Sequence, residues 1–336
     1  MDDGCINCIY CCRADVHGSL AHIFPEALGG VTATRTTVCG ACNSHVNSRV
    51  ENPVLPGFAY FRSAWGIQGR RKRPVRVRAT IRTGAHEIQG WLNERGEPHD
   101  VFVQRREGSD GRTEFSIFGE PDAVEARFAE IARTHPSLRW ERLDNAAELQ
   151  VTVPFELDLA GPTLRRLAAK VALERCAQRW GAEYVRGAEF DDVRRFVLDG
   201  TERQPLCGLI ADTDFLRGSF NFALPRHAVY LNAHPRTPLL GAVVAFFGLF
   251  YFWVVASTRF KALGQTDSLL LEHAQTGSVE EPLLRGRPGD LVLPWSRLTE
   301  PFLRARAATI KTAAQYAVEK LQAAADELYG REAGRF

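Results

Sequence analysis

Three kinds of hydrophobic pattern run along the chain, and each predicts a different element. The first is alternation with period two, the mark of a half-buried strand. It starts near Val75 and puts Arg76 and Arg78 on one face. Strands are predicted in the same way at 87–92, 101–105, 113–118 and 148–157, with turn-rich stretches at 93–96 and 109–111 between them. The second pattern has helical spacing. It predicts a helix over 122–133, with Val124, Phe128 and Ile131 on one face, and another over 163–180. In the latter, Leu164, Leu167 and Val171 form the apolar stripe, Arg165, Arg166 and Lys170 lie off it, and Gly181 ends it. A short helix is expected at 190–198, and a long one closes the chain from about Ser296 or Leu298 to 328. The third pattern is a continuous apolar run of fifteen residues, 242–256. A membrane-spanning helix needs about 20 such residues. This run is rich in Val, Phe, Tyr and Trp and has Gly248 near its centre. Two buried strands that meet at the glycine are the favoured reading, with a buried helix or a membrane segment as alternatives. Further strands are expected at 207–212, 219–223 and 228–231.

The first fifty residues are too few to build a hydrophobic core of their own. Stretches of that size need a metal or another staple. A strand is predicted at 20–24, a Pro/Gly loop at 25–30, and a helix from Cys42 to about Val50 that Pro53 and Pro56 end. The predicted fold class is α+β: a small stapled module at 1–56, a basic linker and strand at 57–78, and a larger α+β body at 79–330. There are no repeats and no low-complexity tracts.

Composition changes this picture in two places. The net charge of +2 does not by itself announce a polyanion partner, but the first eighty residues hold ten Lys/Arg against five Asp/Glu. Six of the eight cysteines precede position 43, and the other two, Cys176 and Cys207, are isolated. Such clustering suits metal binding better than a disulfide framework. The opening Met-Asp-Asp-Gly-Cys has neither a basic nor an apolar leader pattern, so a cytoplasmic location is expected.

Cys39 and Cys42 form one C-x-x-C pair, and the spacing suits a tetrahedral Zn²⁺ site. Both Cys5/Cys8 and Cys8/Cys11 satisfy the other pair. Cys8/Cys11 is favoured because it lies closer to the strand it must brace. His22 lies on that strand just before a Gly-Gly turn. It is either a packed histidine or a general base, a task that its near-neutral pKa suits. Asn43 directly follows the second pair. It is either a helix N-cap or an oxygen ligand for a hard divalent cation.

The order C-I-Y-C, H-I-F-P-E-A-L-G-G and V-C-G-A-C-N resembles the HNH endonuclease family in its zinc-braced form, over residues 5–52. The resemblance implies a ββα-metal finger that hydrolyses DNA, with duplex the expected form, using Mg²⁺ or Mn²⁺. It implies His22 as the group that activates the attacking water and Asn43 as a metal ligand. In that family the residue before the histidine is usually an acid that binds the cation, and a middle asparagine props the loop that orients the histidine. Here position 21 is Ala and the middle position falls near Thr34. Glu26, His17, His45 and Asn47 are the nearby groups that could complete the cation site, and Asn43 and Asn47, four apart, share a helix face. Chains with this front end resemble bacterial defence or mobile-element nucleases.

The run Arg70, Arg71, Lys72, Arg73, with Arg76 and Arg78 and with Tyr60, Phe61 and Trp65 before it, is the expected contact to nucleic-acid phosphates. Its other reading is a solvated loop and strand face. The body would supply targeting, activation by a partner protein, or homo-oligomerisation, and no membrane is expected. The alternative function is a catalytically weakened zinc module that binds nucleic acid or protein.

Overall fold

The computed structural model describes residues 5–68, 75–83, 86–92, 102–107, 113–118, 121–136, 150–152, 157–159, 161–210, 225–233, 238–261 and 268–281. The predicted strand at 219–223, the closing helix and Arg70, Arg71, Lys72 and Arg73 lie outside these residues. The chain divides into two compact units. One unites Met1–Leu55 with Asp158–Phe336, and the other is Pro56–Leu157.

The first unit begins with a small finger. Strands β1 (Cys5–Ile6) and β2 (Val16–His17) pair antiparallel, as do β3 (Ala21–His22) and β4 (Ala33–Thr34). Helix α1 (Gly40–Val46) follows and continues through a π-helical turn at Asn47–Glu51 into a 3-10 turn at Asn52–Val54. Pro53, which has no N–H to donate, sits where the helix gives way. Within it β3, β4 and α1 run in the order ββα, and each of the four strands has only two paired residues.

The second unit holds α2 (Ala59–Ala64), β5 (Val77–Thr83), β6 (His86–Leu92), β7 (Phe102–Glu107), β8 (Thr113–Phe118), α3 (Pro121–Thr134) and β9 (Gln150–Thr152). Strands β6, β5 and β9 form one antiparallel sheet, and β7 and β8 form a hairpin. The period-two reading holds at its start: Val77 and Ala79 are buried, while Arg76 and Arg78 are exposed. Phe61 and Trp65 belong to the core, with ring centres 5.5 Å apart.

The rest of the first unit runs through α4 (Pro162–Trp180), α5 (Ala182–Val185) and α6 (Asp191–Asp199), then β10 (Cys207–Leu209), β11 (Arg226–Ala233), β12 (Leu240–Phe246), β13 (Phe250–Ser257), β14 (Ser268–His273) and β15 (Val279–Glu280). The six strands form one antiparallel sheet in the order β10-β13-β12-β11-β14-β15. The fifteen-residue apolar run is two buried strands, β12 and β13, as its composition predicts. Phe247 (φ 58°) and Gly248 (φ 69°) make the turn, and the Leu249 N–H donates to Phe246 O at 3.0 Å. Positive φ at both central residues is the turn that matches strand twist. Among the described residues, no helix is long and apolar enough to cross a membrane.

Helix α4 departs from the expected single stripe. Every residue from Leu167 to Ala177 is buried, including Lys170, Glu174 and Arg175. The helix packs against β10 to β13 and also against the helical turns of the finger, so it has no solvated side over this length. Its charged residues therefore meet partners instead of water. Arg175 donates to Ser268 Oγ at 2.6 Å and to Glu281 Oε1 at 2.9 Å.

Candidate metal centre and active site

Cys8 opens a tight knuckle in which its carbonyl accepts the Cys12 N–H at 3.0 Å and its own N–H donates to Arg13 O at 3.0 Å. The turn puts Cys12 in the left-handed region, φ 55°. The Ile9 N–H donates to Thr37 O at 2.9 Å, which brings the knuckle against the second cysteine pair. Cys39 stands at the start of α1 in extended conformation, and its carbonyl accepts the Asn43 N–H at 2.9 Å.

This arrangement brings the sulfurs of Cys8, Cys11, Cys39 and Cys42 within 4.8 Å of one another. Cys11 Sγ and Cys39 Sγ are 3.9 Å apart. Zinc–sulfur bonds of about 2.3 Å give a tetrahedron with sulfur–sulfur edges of about 3.8 Å, so the four could hold Zn²⁺ with little movement. Cys8/Cys11 is thus the pair brought to Cys39/Cys42. Cys5 lies outside the group, paired across β1 and β2 with His17, and Cys12 also lies outside it. A hydrogen bond from Cys42 pushes the Cys8 thiol down to about 4, helped by the Cys39 N–H at 3.4 Å and opposed by burial. The same bond pushes Cys42 up. A thiolate at Cys8 is the form that binds metal.

His22 ends β3, with Ala21 paired to Thr34 and His22 to Ala33. Ala21 is 2 % exposed, so the side chain before the histidine faces the interior, while His22 itself is half-buried. The Thr34 hydroxyl bonds Thr36 Oγ1 at 2.8 Å. Asn43 lies inside α1, which begins at Gly40 rather than near Cys42. Its Nδ2 donates to Leu20 O at 2.9 Å and to Ser19 Oγ at 3.0 Å. Because these acceptors take the amide nitrogen, Oδ1 turns away from them. Asn43 therefore ties the helix to the chain just before His22, and brings the two sequence-predicted residues into one ββα frame.

The other predicted groups are spread around this frame. Asn47 follows one turn after Asn43, at the start of the π-helical turn, and is half-buried. His45 Nε2 donates to Leu198 O at 3.0 Å, which joins α1 to the end of α6. Glu26 begins the 3-10 turn Glu26–Leu28. Gly29 ends that turn at φ 92°, and a Cβ there would come within 2.2 Å of Ala274 O, so the Gly-Gly turn suits a close approach to the sheet. Arg78 donates to Gln89 Oε1 at 2.8 Å in the separate second unit.

Five residues of the body that no sequence pattern singled out reach the finger's backbone. Arg194 Nε donates to Ile9 O at 2.6 Å inside the cysteine knuckle. Arg186 donates to Cys12 O at 2.7 Å. Lys170 Nζ donates to Ile23 O at 3.0 Å and to His22 O. His227 Nε2 donates to Leu28 O at 2.8 Å, and Glu272 accepts the Val31 N–H at 2.9 Å. The Phe24 ring stacks on His227 with centres 4.9 Å apart. Burial pushes His227 down to about 4, so it stays neutral, with its Nδ1 accepting the Phe247 N–H at 3.3 Å. A charged residue off the apolar stripe of a helix reads as solvated, and only packing on both sides of α4 changes that for Lys170.

No curated protein and no solved structure matches the chain significantly. Residues 8–58, which span the knuckle, β3, β4, α1 and the turns after it, match a family described as HNH endonuclease, and the N-terminal module is thereby similar to that family.

Proposed function

We propose that this protein is a metal-dependent endonuclease that hydrolyses phosphodiester bonds in duplex DNA. The observation that carries the reading is the bond from Asn43 Nδ2 on α1 to Leu20 O, which ties the helix to the chain two residues before His22 on β3. A family likeness over the same residues supports it. His22 takes the proton of an attacking water. Asn43 Oδ1 and the Asn47 carboxamide, four positions apart, are the oxygens that would hold Mg²⁺ or Mn²⁺, with Glu26 a further candidate. Such a cation supplies positive charge beside the reacting phosphate and the departing oxygen. Both carboxamides are neutral, and hard cations favour carboxylates, so the set suits a cation held weakly until a phosphate joins it. Arg76 and Arg78, with Arg70, Arg71, Lys72 and Arg73, neutralise backbone phosphates.

The buried Ala21, where an acid is usual, favours a second reading: a module that binds nucleic acid without cutting it. Incubation of the zinc-loaded protein with supercoiled DNA and Mg²⁺ or Mn²⁺ tests the two. Cleavage that a chelator stops, and that Asn43→Ala abolishes with zinc content unchanged, is expected. Binding without cleavage under both metals would replace the first reading with the second.

A further inference from the structure

Lys170 is 1 % exposed at the centre of α4, and its Nζ meets four oxygens. Two are carboxylates: Glu51 Oε1 at 2.9 Å and Glu174 Oε2 at 3.0 Å. Two are consecutive carbonyls of the finger, His22 O and Ile23 O. Glu174 also accepts the Tyr10 O–H at 2.9 Å, from inside the cysteine knuckle. An ammonium has three protons to share. One carboxylate is enough to balance its charge, and burial pushes Glu174 up to about 7, so the carbonyl bonds are not needed for charge balance and do something further.

What they do follows from where the elements lie. Successive carbonyls of an extended strand point to opposite sides. Those of His22 and Ile23 converge on one nitrogen, just where β3 ends. Fixing the His22 carbonyl fixes the peptide after it, and with that the direction of the histidine relative to the strand. The same nitrogen holds Glu51, at the end of the helical segment that carries Asn43 and Asn47. Thr34, across from Ala21, has its hydroxyl turned to Thr36.

We propose that Lys170 is a positioning residue for cleavage: it sets the separation between the strand that bears His22 and the helix that bears Asn43. The inference rests on the nuclease reading. A misplacement of about 1 Å in such a frame costs about 100-fold in rate.

The test uses the full-length, zinc-loaded protein. Lys170→Met is made together with Glu174→Gln, which leaves the buried site without an unpaired glutamate from α4, and Glu174→Gln is made alone. The double variant is expected to keep zinc and duplex affinity, to lose about 100-fold in single-turnover rate, and to shift the His22 imidazole signals in NMR. Glu174→Gln alone, which keeps Lys170 on both carbonyls, is expected to cut at close to the wild-type rate. A double variant with the wild-type rate and unchanged His22 signals overturns the proposal. If that variant does not fold, the wild type decides. Its Lys170 ammonium protons must be protected from water and coupled through the hydrogen bond to the His22 carbonyl carbon, and a rapidly exchanging signal overturns the proposal. If the wild type cuts no DNA under any divalent cation, the nuclease reading fails on its own. The His22 signals then decide on positioning alone: a shift in the double variant supports it, and no shift overturns it.

Discussion

Across the sheet, Leu270, Val229, Val244 and Phe252 stand side by side on β14, β11, β12 and β13, and all four are fully buried. In the finger, the cross-strand partners are Cys5 with His17, Ile6 with Val16, Ala21 with Thr34 and His22 with Ala33, and Ile6 and Val16 are only half-buried. The two regions share one unit but hold their shape by different means. The sheet buries apolar rows, each large side chain contributing roughly 1.5–3 kcal/mol. The finger has no such rows. It gathers four cysteines, and the body meets its backbone at Ile9, Cys12, His22, Ile23, Leu28 and Val31 with Arg194, Arg186, Lys170, His227 and Glu272. A short segment with little core of its own can be shaped by polar groups lent from a neighbour, and four of these five, Arg194, Lys170, His227 and Glu272, are buried.

The comparison breaks most sharply at the cysteines. Structural zinc sites are worth on the order of 10 kcal/mol of folding free energy. Cys39→Ser should take zinc from about one per chain to none. Backbone amides of the finger, including the Ile23 N–H bonded to Thr32 O, should then exchange rapidly while the sheet stays protected. A metal-free protein with a protected finger would contradict the zinc assignment. Cys5→Ser should retain the metal.

The next effect strikes the sheet. Phe252→Ala removes a fully buried ring and should destabilise the unit by about 4 kcal/mol in denaturant unfolding, with zinc still bound in the folded protein. Loss of zinc from the folded variant would mean that the sheet shapes the cysteine site directly.

The seam between the two regions responds to acid. His227 has its folded pKa lowered from 6.5 to about 4, so the folded state resists protonation. Stability from this group is present above the unfolded value near 6.5 and is lost as pH falls through the folded value near 4. The loss amounts to about 3 kcal/mol at its limit. Between pH 7 and pH 4.5 the wild type should lose more stability than His227→Gln in parallel denaturant titrations. Equal slopes would mean that this histidine does not stay neutral against Leu28 and Phe247.

A smaller effect is expected inside the finger. Ala21 is buried opposite Thr34, where the HNH resemblance expects an acid, and Ala21→Asp tests whether a carboxylate there joins the proposed cation site. Without divalent cation the variant should be less stable by about 1–3 kcal/mol, the cost of an unpaired buried polar group. Mn²⁺ should restore that stability and support cutting at lower concentration than in the wild type. A melting temperature that ignores Mn²⁺ would mean that position 21 does not face the cation.

How much of this was legible in the sequence follows the same division. The cysteine spacing marked the staple, and the family resemblance around it pointed to His22 and Asn43 as the proposed site, which their positions alone left open. The apolar run with Gly248 at its centre read correctly as two strands, because residue type and length both argued against a spanning helix. Ser268–His273 carries only a short apolar core between polar ends and did not stand out as a strand. The seam was illegible for a physical reason. Lys170, Glu174, Arg194, His227 and Glu272 sit in helices and strands where a charged or polar residue normally faces water. Their burial depends on a segment more than a hundred residues away in the chain, such as Glu51 for Lys170. No local period records that contact.

His22 is the group on which the functional reading stands, and removal of its imidazole tests that reading most directly. Single-turnover cleavage of duplex DNA is measured for wild type and His22→Gly, with and without added imidazole, at saturating divalent cation and with zinc content verified. Loss of general-base catalysis lowers the rate by about 10²–10⁴-fold, and free imidazole should return part of it. A His22→Gly protein that cuts at the wild-type rate without imidazole would contradict the assignment of His22 as the base.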